Sequence, residues 1–473
     1  MFVGEDGTYV GGEPKQRPDR VAILTLLRLR RFADLDRWLG FYQQEFEEDP
    51  RKENWAVDSF DTFEVAEPSL GVTLDAWVSA APESFSAVLA RGTWRMACGL
   101  AARGTDVAAK TSEAQMKAME DHFDIAEADL ERAIAMHPKA IAAHLGLMTI
   151  ATFAGGDAQR RARFAAALAQ CTTCYQSRAA RLIALTPRWG GSYSAMDAFV
   201  AESKSSVAGN PKLGRLGGFA PLDRCRTWAK QGEVPRALAA CDEAIAFGQD
   251  PAFLETRGRI LRDAGRIDEA RADLDLALRI SPHAIRARTS RYFLRRDNDD
   301  LLGAAEDLAV AHTLDPTDAD LSKSRLWMIE KLRYEGDLLA KAGKNDDAVR
   351  YFELASLLAP DDQDLRKRQA WNAAEIGPEQ LARRVAAAPE NYDLRLLLDH
   401  ALAKSRRFGE VVTSWDDYLA RKPEDARAYR ERGGAKWQAG QREAGVADTE
   451  RACELGSVDA CRDLPTMQAR LAP

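Results

Sequence analysis

The sequence predicts an all-α fold in which helical hairpins stack into a right-handed solenoid, preceded by an N-terminal helical domain. One observation is a recurrence of four residues 34 positions further along the chain. Ala270, Leu274, Ala277 and Pro282 return as Ala304, Leu308, Ala311 and Pro316. The other observation is composition: alanine, leucine and arginine are abundant, and no convincing run alternates as a strand does. Because one hairpin cannot bury its own apolar face, we expect its neighbours to stack on it.

The spacing within one hairpin also has a physical reason. Small residues at Gly258 and Ala270 let two antiparallel helices approach closely, and Gly265 suits the left-handed residue that commonly ends a helix. Pro282 ends the second helix because proline cannot continue the hydrogen-bond ladder. The pattern resembles the tetratricopeptide repeat. That resemblance implies a binding scaffold.

We predict three regions: a flexible tail, an N-terminal helical domain, and a tetratricopeptide-repeat solenoid that ends in a capping helix. Their bounds are 1–19, 20–208 and 209–473. Within the helical domain we expect one helix from Asp19 to about Phe46, and another from Pro82 to Ala102. Residues 317–328 are either an insertion or an extended first helix that carries Trp327.

The region before the solenoid also shows a family resemblance. Ala102-Arg103-Gly104 follows a tryptophan-bearing helix, His137-Pro138 ends a helix pair, and a C-x-x-C-Y segment precedes the string Pro187–Ser192. Together these resemble the bacterial family called domain of unknown function 4034, over roughly residues 20–205. The resemblance implies a helical bacterial domain often found with tetratricopeptide repeats, and it supplies no catalytic residues.

Charge and hydropathy narrow the class of protein. The formal net charge is -7 and the pI is near 5.6, which argues against a general nucleic-acid binder. No apolar stretch reaches the length of about 18 residues that a membrane span needs. Met1 is followed by an acidic, glycine-rich segment, so we see no secretory signal and expect a cytoplasmic protein. A periplasmic location is the alternative if a signal peptide is missing from this chain.

Six of the seven cysteines fall into three pairs that are close in sequence. The pairs are Cys171 with Cys174, Cys225 with Cys241, and Cys453 with Cys461. Each pair is either two packed thiols or a disulfide, and the C-x-x-C pair could also have a redox role. The segment around Cys453 and Cys461 resembles the Sel1-like repeats, a resemblance that implies a clip between one repeat and the next helix. Zinc needs four ligands, and no second pair is spaced as closely as Cys171 and Cys174, so we predict no metal site.

The first helices of the repeats are expected to line a concave groove. Six basic residues fall at groove positions: Arg226, Lys230, Arg259, Arg262, Arg286 and Arg296. Arginine forks bind carboxylates through two hydrogen bonds. We therefore hypothesise that the groove captures a peptide or chain terminus, with an acidic partner favoured. The alternative is that these arginines pair with Glu255, Asp263 and Asp297 and only solvate the surface.

A second candidate surface lies around Trp189 and Tyr193, with Arg103 and Arg188 as basic residues that could face it. The glycine pair between the aromatic residues permits a close backbone approach, as at a binding site. It equally suits a tight corner between helices in which Trp189 is buried.

The sequence predicts a non-enzymatic scaffold or adaptor for protein–protein interaction, with no cofactor. It contains six histidines, none in a metal-spaced pair on a convincing site, and no phosphate loop or nucleophile elbow. Two alternatives stay open. One is an inhibitor or immunity-type protein that sequesters an enzyme or toxin, and the other is a redox protein that uses Cys171 and Cys174.

Overall fold

The computed structural model describes residues 18–105, 110–375 and 377–471. The chain divides into two compact units, one that ends at Ser322 and one that resumes at Lys323. The predicted tail falls mostly on residues 1–17, which lie outside the described residues. The predicted start of the solenoid at residue 209 stays a prediction. None of the helices in the described ranges has both the length and the apolar character that a membrane crossing requires.

Within the described ranges the regular elements are helical, and no strand occurs. The helices of the first unit are α1 (Arg20–Arg28), α2 (Phe32–Glu48), α3 (Glu53–Phe60), α4 (Pro68–Ala80), α5 (Phe85–Arg103), α6 (Glu113–Met136), α7 (Ile141–Phe153), α8 (Asp157–Gln170), α9 (Tyr175–Ala184), α10 (Tyr193–Ser203), α11 (Phe219–Lys230), α12 (Val234–Ala246), α13 (Pro251–Asp263), α14 (Ile267–Ile280), α15 (Ile285–Arg296) and α16 (Leu301–Leu314). The remaining helices are α17 (Ala319–Lys341), α18 (Asn345–Leu358), α19 (Gln363–Glu375), α20 (Pro378–Ala387), α21 (Tyr392–Lys404), α22 (Phe408–Arg421), α23 (Ala426–Gln438), α24 (Arg442–Glu454) and α25 (Val458–Ala469).

The predicted hairpins form, and small residues set their closeness. In the hairpin of α13 and α14, a Cβ on Gly258 would lie 2.9 Å from Leu274 Cγ and 3.3 Å from the Ala270 carbonyl oxygen. Such distances leave no room for a side chain, so the two helices touch through the glycine. Gly265 ends the first helix with φ of 75°, the left-handed conformation expected there. The all-α hairpin-repeat prediction is therefore confirmed.

In three hairpins an arginine makes a buried ion pair within the hairpin and an exposed one to the helix before it. Arg257 on α13 donates to Asp273 on the second helix of its own hairpin and to Asp242 on the preceding hairpin, each at 2.7 Å. Arg291 makes the same contacts with Asp307 and Asp275, and Arg432 makes them with Asp448 and Asp416. The partner within the hairpin is buried in every case. The planar guanidinium donates two hydrogen bonds to the buried carboxylate and a third to the other, a paired geometry that lysine does not offer.

Two predicted helix boundaries were wrong. The helix expected from Asp19 to Phe46 is two helices, because Arg30 adopts a φ of 56° and ends α1. The helix expected to begin at Pro82 begins at Phe85, because Ser84 caps α5 by accepting a hydrogen bond from the Ala87 amide. Capping by a hydroxyl side chain thus decides the start, and not the proline.

For residues 317–328 the sequence leaves open an insertion or an extended first helix, and the structure shows the extended helix. Residues 319–341 form one extended first helix, which carries Trp327. In the second unit, Trp415 and Leu381 are fully buried in a core shared by α20 to α23. The predicted capping element is α25, which packs on α24.

Candidate partner-binding site

The candidate site lies on the first helices of three successive hairpins, α11, α13 and α15, which pack side by side. Arg226 comes from α11, Arg259 from α13 and Arg286 from α15. Each lies at a position that the repeat pattern assigned to the groove. The structure therefore places three of the six predicted basic residues on one continuous surface.

Glu255 lies at the centre of this surface and is 8% exposed. Ser290 of α15 donates a hydrogen bond to its carboxylate at 3.3 Å, and Arg259 Nε lies 3.8 Å from the same oxygen. The buried carboxylate thus ties α13 to α15 through Ser290, whereas its contact with Arg259 lies within α13. From the sequence alone, Glu255 is predicted only as a surface ion-pair partner of the arginines.

The Arg226 guanidinium is poorly compensated. It donates to the hydroxyl of Thr256 at 3.2 Å from Nη2, and that threonine is fully buried. Burial is the main cause that lowers the pKa of Arg226, and Glu255 opposes this shift. The positive charges of Arg286, Arg188 and Arg259 lower the pKa further. The guanidinium thus lies among other guanidiniums, with a neutral hydroxyl as its hydrogen-bond acceptor.

Arg226 and the three arginines whose charges act on it form what we call the arginine cluster: Arg188, Arg226, Arg259 and Arg286. Arg188 is an unexpected member, since the sequence placed it on a separate surface. It lies on the 3-10 turn Pro187–Trp189, which precedes α11 in the chain, and its side chain is exposed. No regularity of the repeat could have revealed that the charge of Arg188 acts on Arg226.

Two other predicted groove residues, Arg262 and Arg296, pair with neighbouring acidic residues, as the alternative interpretation predicts. Arg262 pairs with Asp263 at 2.6 Å, and Arg296 pairs with Asp297 at 2.7 Å. Both guanidiniums also lie over the ring of Phe293, at 5.4 Å and 4.9 Å from its centroid. They are surface ion pairs stacked on one aromatic ring. Lys230, the sixth residue, is exposed in the last turn of α11.

The second candidate surface is built as a tight corner. Gly190 adopts a φ of 86°, and a Cβ on Gly191 would clash with the Leu185 backbone. Trp189 packs edge-on against Phe153 with ring centroids 4.8 Å apart, and Arg103 lies over the other part of this stack, 5.5 Å from the Phe153 centroid. The Tyr193 hydroxyl donates to Asp223 at 3.0 Å. The glycine pair therefore serves the turn, and the corner fixes the backbone that bears Arg188.

An acidic edge, formed by Asp58, Asp61 and Glu64, lies beside the arginine cluster and escaped the sequence analysis. Loss of hydration raises the pKa of Glu64, the charge of Asp61 raises it further, and Arg20 and Arg286 oppose the shift. Burial likewise raises the pKa of Asp58 to about 7. Glu64 is exposed to solvent. A carboxylate of the first unit thus faces the same Arg286 that lines the groove.

The three cysteine pairs are disulfides in the structure. Cys225–Cys241 joins α11 to α12, and Cys453–Cys461 joins α24 to α25. Cys171–Cys174 spans the turn between α8 and α9, where the two residues are 6% and 0% exposed and pack against Phe46. A pair so deeply buried has no face to offer a redox substrate.

Residues 19–160 match the model of the family described as Domain of unknown function (DUF4034). The match covers under a third of the chain and ends before the Pro187–Ser192 string, so that string lies outside it. Among curated proteins, none matches the chain.

Solved structures of tetratricopeptide-repeat proteins superpose on this chain only loosely. The P58(IPK) domain shares 14% identity over 85% of this chain and 92% of its own, with a TM-score of 0.24. A Parabacteroides merdae repeat protein shares 16% over 58% and 92%, with a TM-score of 0.22. The Cut9–Hcn1 complex gives 13% over 95% and 75%, with a TM-score of 0.28. The repeat architecture of this chain is therefore shown by its own helical hairpins.

Proposed function

We propose that this protein is a non-enzymatic interaction scaffold that binds a protein or peptide partner in the groove of α11, α13 and α15. The observation that carries the proposal is the arginine cluster. It gathers four guanidiniums from three repeats and one preceding turn on a single surface. Stacked helical repeats present extended concave surfaces of this kind to partners. Because the groove is part of the folded repeat, little ordering entropy opposes binding.

The redox alternative is disfavoured by the burial of Cys171 and Cys174. The inhibitor alternative would use the same groove, and the stoichiometry of the captured complex separates it from an adaptor. A tight complex of one chain with one enzyme or toxin would favour an inhibitor.

The test is affinity capture from the native host, followed by mass spectrometry, with a matched pair of double variants. Arg226→Glu with Arg259→Glu reverses two charges inside the arginine cluster. Arg262→Glu with Arg296→Glu reverses two charges at the surface pairs on Phe293, on α13 and α15. We expect a partner that wild type and the control capture and that the cluster variant loses. A partner retained by the cluster variant would move the binding surface elsewhere.

We also propose that the protein works in a compartment that keeps disulfides oxidised, the alternative to the cytoplasmic expectation. Three disulfides within one chain support this, since such bonds persist mainly in oxidising compartments. Host cells lysed directly into an alkylating reagent provide the test. Six of the seven cysteines should escape alkylation, whereas labelling at Cys225 and Cys241 would contradict the proposal.

A further inference from the structure

We propose that the arginine cluster binds the carboxylate or phosphate oxygens of an acidic segment of the partner, an inference that rests on the proposed groove-binding function. The first support is local charge. Glu255 already interacts with Arg259 and with the Ser290 hydroxyl, and Arg226 donates to a neutral threonine. Four positive charges therefore face two carboxylates, Glu255, which is already engaged, and Glu64, which lies near Arg286. An anion that enters this surface relieves the repulsion among them.

The second support is hydration. The Arg226 side chain is partly withdrawn from water, and that loss of hydration is the largest influence on its pKa. A guanidinium in such a place gains more from an anion than an exposed one does, because the local dielectric is lower. Its planar fork matches the two oxygens of a carboxylate or of a phosphate. The site therefore selects oxygen anions that can accept paired hydrogen bonds.

The third support is rigidity at the rim of the cluster. Arg188 extends from a corner in which Gly190 is left-handed and Gly191 abuts backbone. The carbonyl of Trp189 accepts a hydrogen bond from Arg160 at 3.0 Å, which anchors the corner to α8. A charge presented from a fixed turn loses less conformational freedom on binding. Arg188 is therefore the residue that extends the site beyond the repeats.

Fluorescence anisotropy with the full chain tests the proposal. The probes are a labelled hexaglutamate peptide, a hexaglutamine peptide of the same length, and a phosphoserine peptide, with inorganic phosphate as competitor. We expect hexaglutamate or phosphoserine peptide to bind and hexaglutamine not to bind, with affinity that falls as salt rises. The tighter of the two anionic peptides identifies the source of the oxygens.

Arg226→Ala with Arg259→Ala should weaken binding about tenfold or more, since it removes charge-assisted hydrogen bonds. Arg262→Ala with Arg296→Ala should leave it within about twofold, because these arginines are already paired. Arg286→Glu serves as a second variant, since its exposed side chain makes it tolerant of substitution. Circular dichroism confirms that each variant is folded.

Equal binding by the cluster variant and the control, or no binding of any anionic peptide to wild type, would overturn the anion site. The scaffold proposal would survive if affinity capture still retrieved a partner through this groove. If a peptide binds here but no host protein is captured, the anion site stands and the scaffold proposal fails. The two failures are thus distinguishable.

Discussion

Asp307 offers the sharpest test of how the two helices of one hairpin are joined. Its carboxylate is fully buried on α16 and accepts hydrogen bonds from three arginines of α15. Arg288 and Arg295 each donate to it at 2.9 Å, and Arg291 donates twice, at 2.8 and 2.7 Å. Asp307→Asn removes the charge while keeping the shape. The three guanidiniums would then lie partly buried around a neutral amide.

The magnitude follows from these contacts. Breaking a buried ion pair by removal of one partner typically costs about 3–5 kcal/mol. The lower end applies here because each arginine keeps another acceptor: Arg288 retains the Pro282 carbonyl, Arg291 retains Asp275, and Arg295 retains the Gly303 carbonyl. We therefore expect a loss of about 3 kcal/mol in the free energy of unfolding.

The matched control is Asp275→Asn. Asp275 contacts the same Arg291 at 2.7 Å, but its side chain is 39% exposed. Exposed ion pairs contribute at most about 1 kcal/mol. Urea denaturation followed by circular dichroism gives both changes, provided that the slope of the transition is unchanged. If the two variants lose equal stability, burial does not determine the strength of these ion pairs and the reasoning is refuted.

Three further outcomes are expected. Cys225→Ser with Cys241→Ser should lower the free energy of unfolding by about 3 kcal/mol, as for a closed loop of this length; adding a reductant should remove the difference from wild type in urea melts. The Glu53 pKa is raised from 4.5 to about 7 by burial, partly offset by hydrogen bonds from backbone amides, so its contribution to stability is full below pH 4.5 and is lost as pH rises through 7. Glu53→Gln should therefore gain on wild type by up to about 3 kcal/mol between pH 5 and pH 8, and parallel pH curves would contradict this. Glu64→Gln removes the carboxylate that faces Arg286, so the acidic peptide should bind roughly two- to fivefold tighter in the anisotropy assay, and weaker binding would show that Glu64 does not compete with the ligand.

The local packing of this protein can be predicted from sequence because a short repeat encodes it. Gly258 and Ala270 lie where only small side chains fit, and Gly265 lies where the backbone is left-handed. The hairpin therefore follows from the spacing of these residues alone. The pairing of Arg262 with Asp263 was also foreseeable, since the two residues are neighbours in the chain. Both are local relations, and the sequence displays them directly.

The proximity of Arg188 to Arg226, in contrast, cannot be predicted from local sequence. It depends on the tertiary placement of the turn Pro187–Trp189 relative to α11, and no period relates the two positions. The acidic edge at Glu64 is hidden for the same reason, because its neighbours Arg20 and Arg286 come from distant parts of the chain. The break at Arg30 was missed because the apolar pattern continues through it. Tertiary placement, and not local propensity, decides these features.

Hydrogen–deuterium exchange on the captured complex tests the central claim most directly. If the partner lies in the groove of the first helices, added protection should concentrate on α11, α13 and α15 and on the turn that bears Arg188. The surface around Arg262 and Arg296 should change less. Protection confined to α5–α8, or to residues 323–471, with α11, α13 and α15 unchanged, would contradict the account.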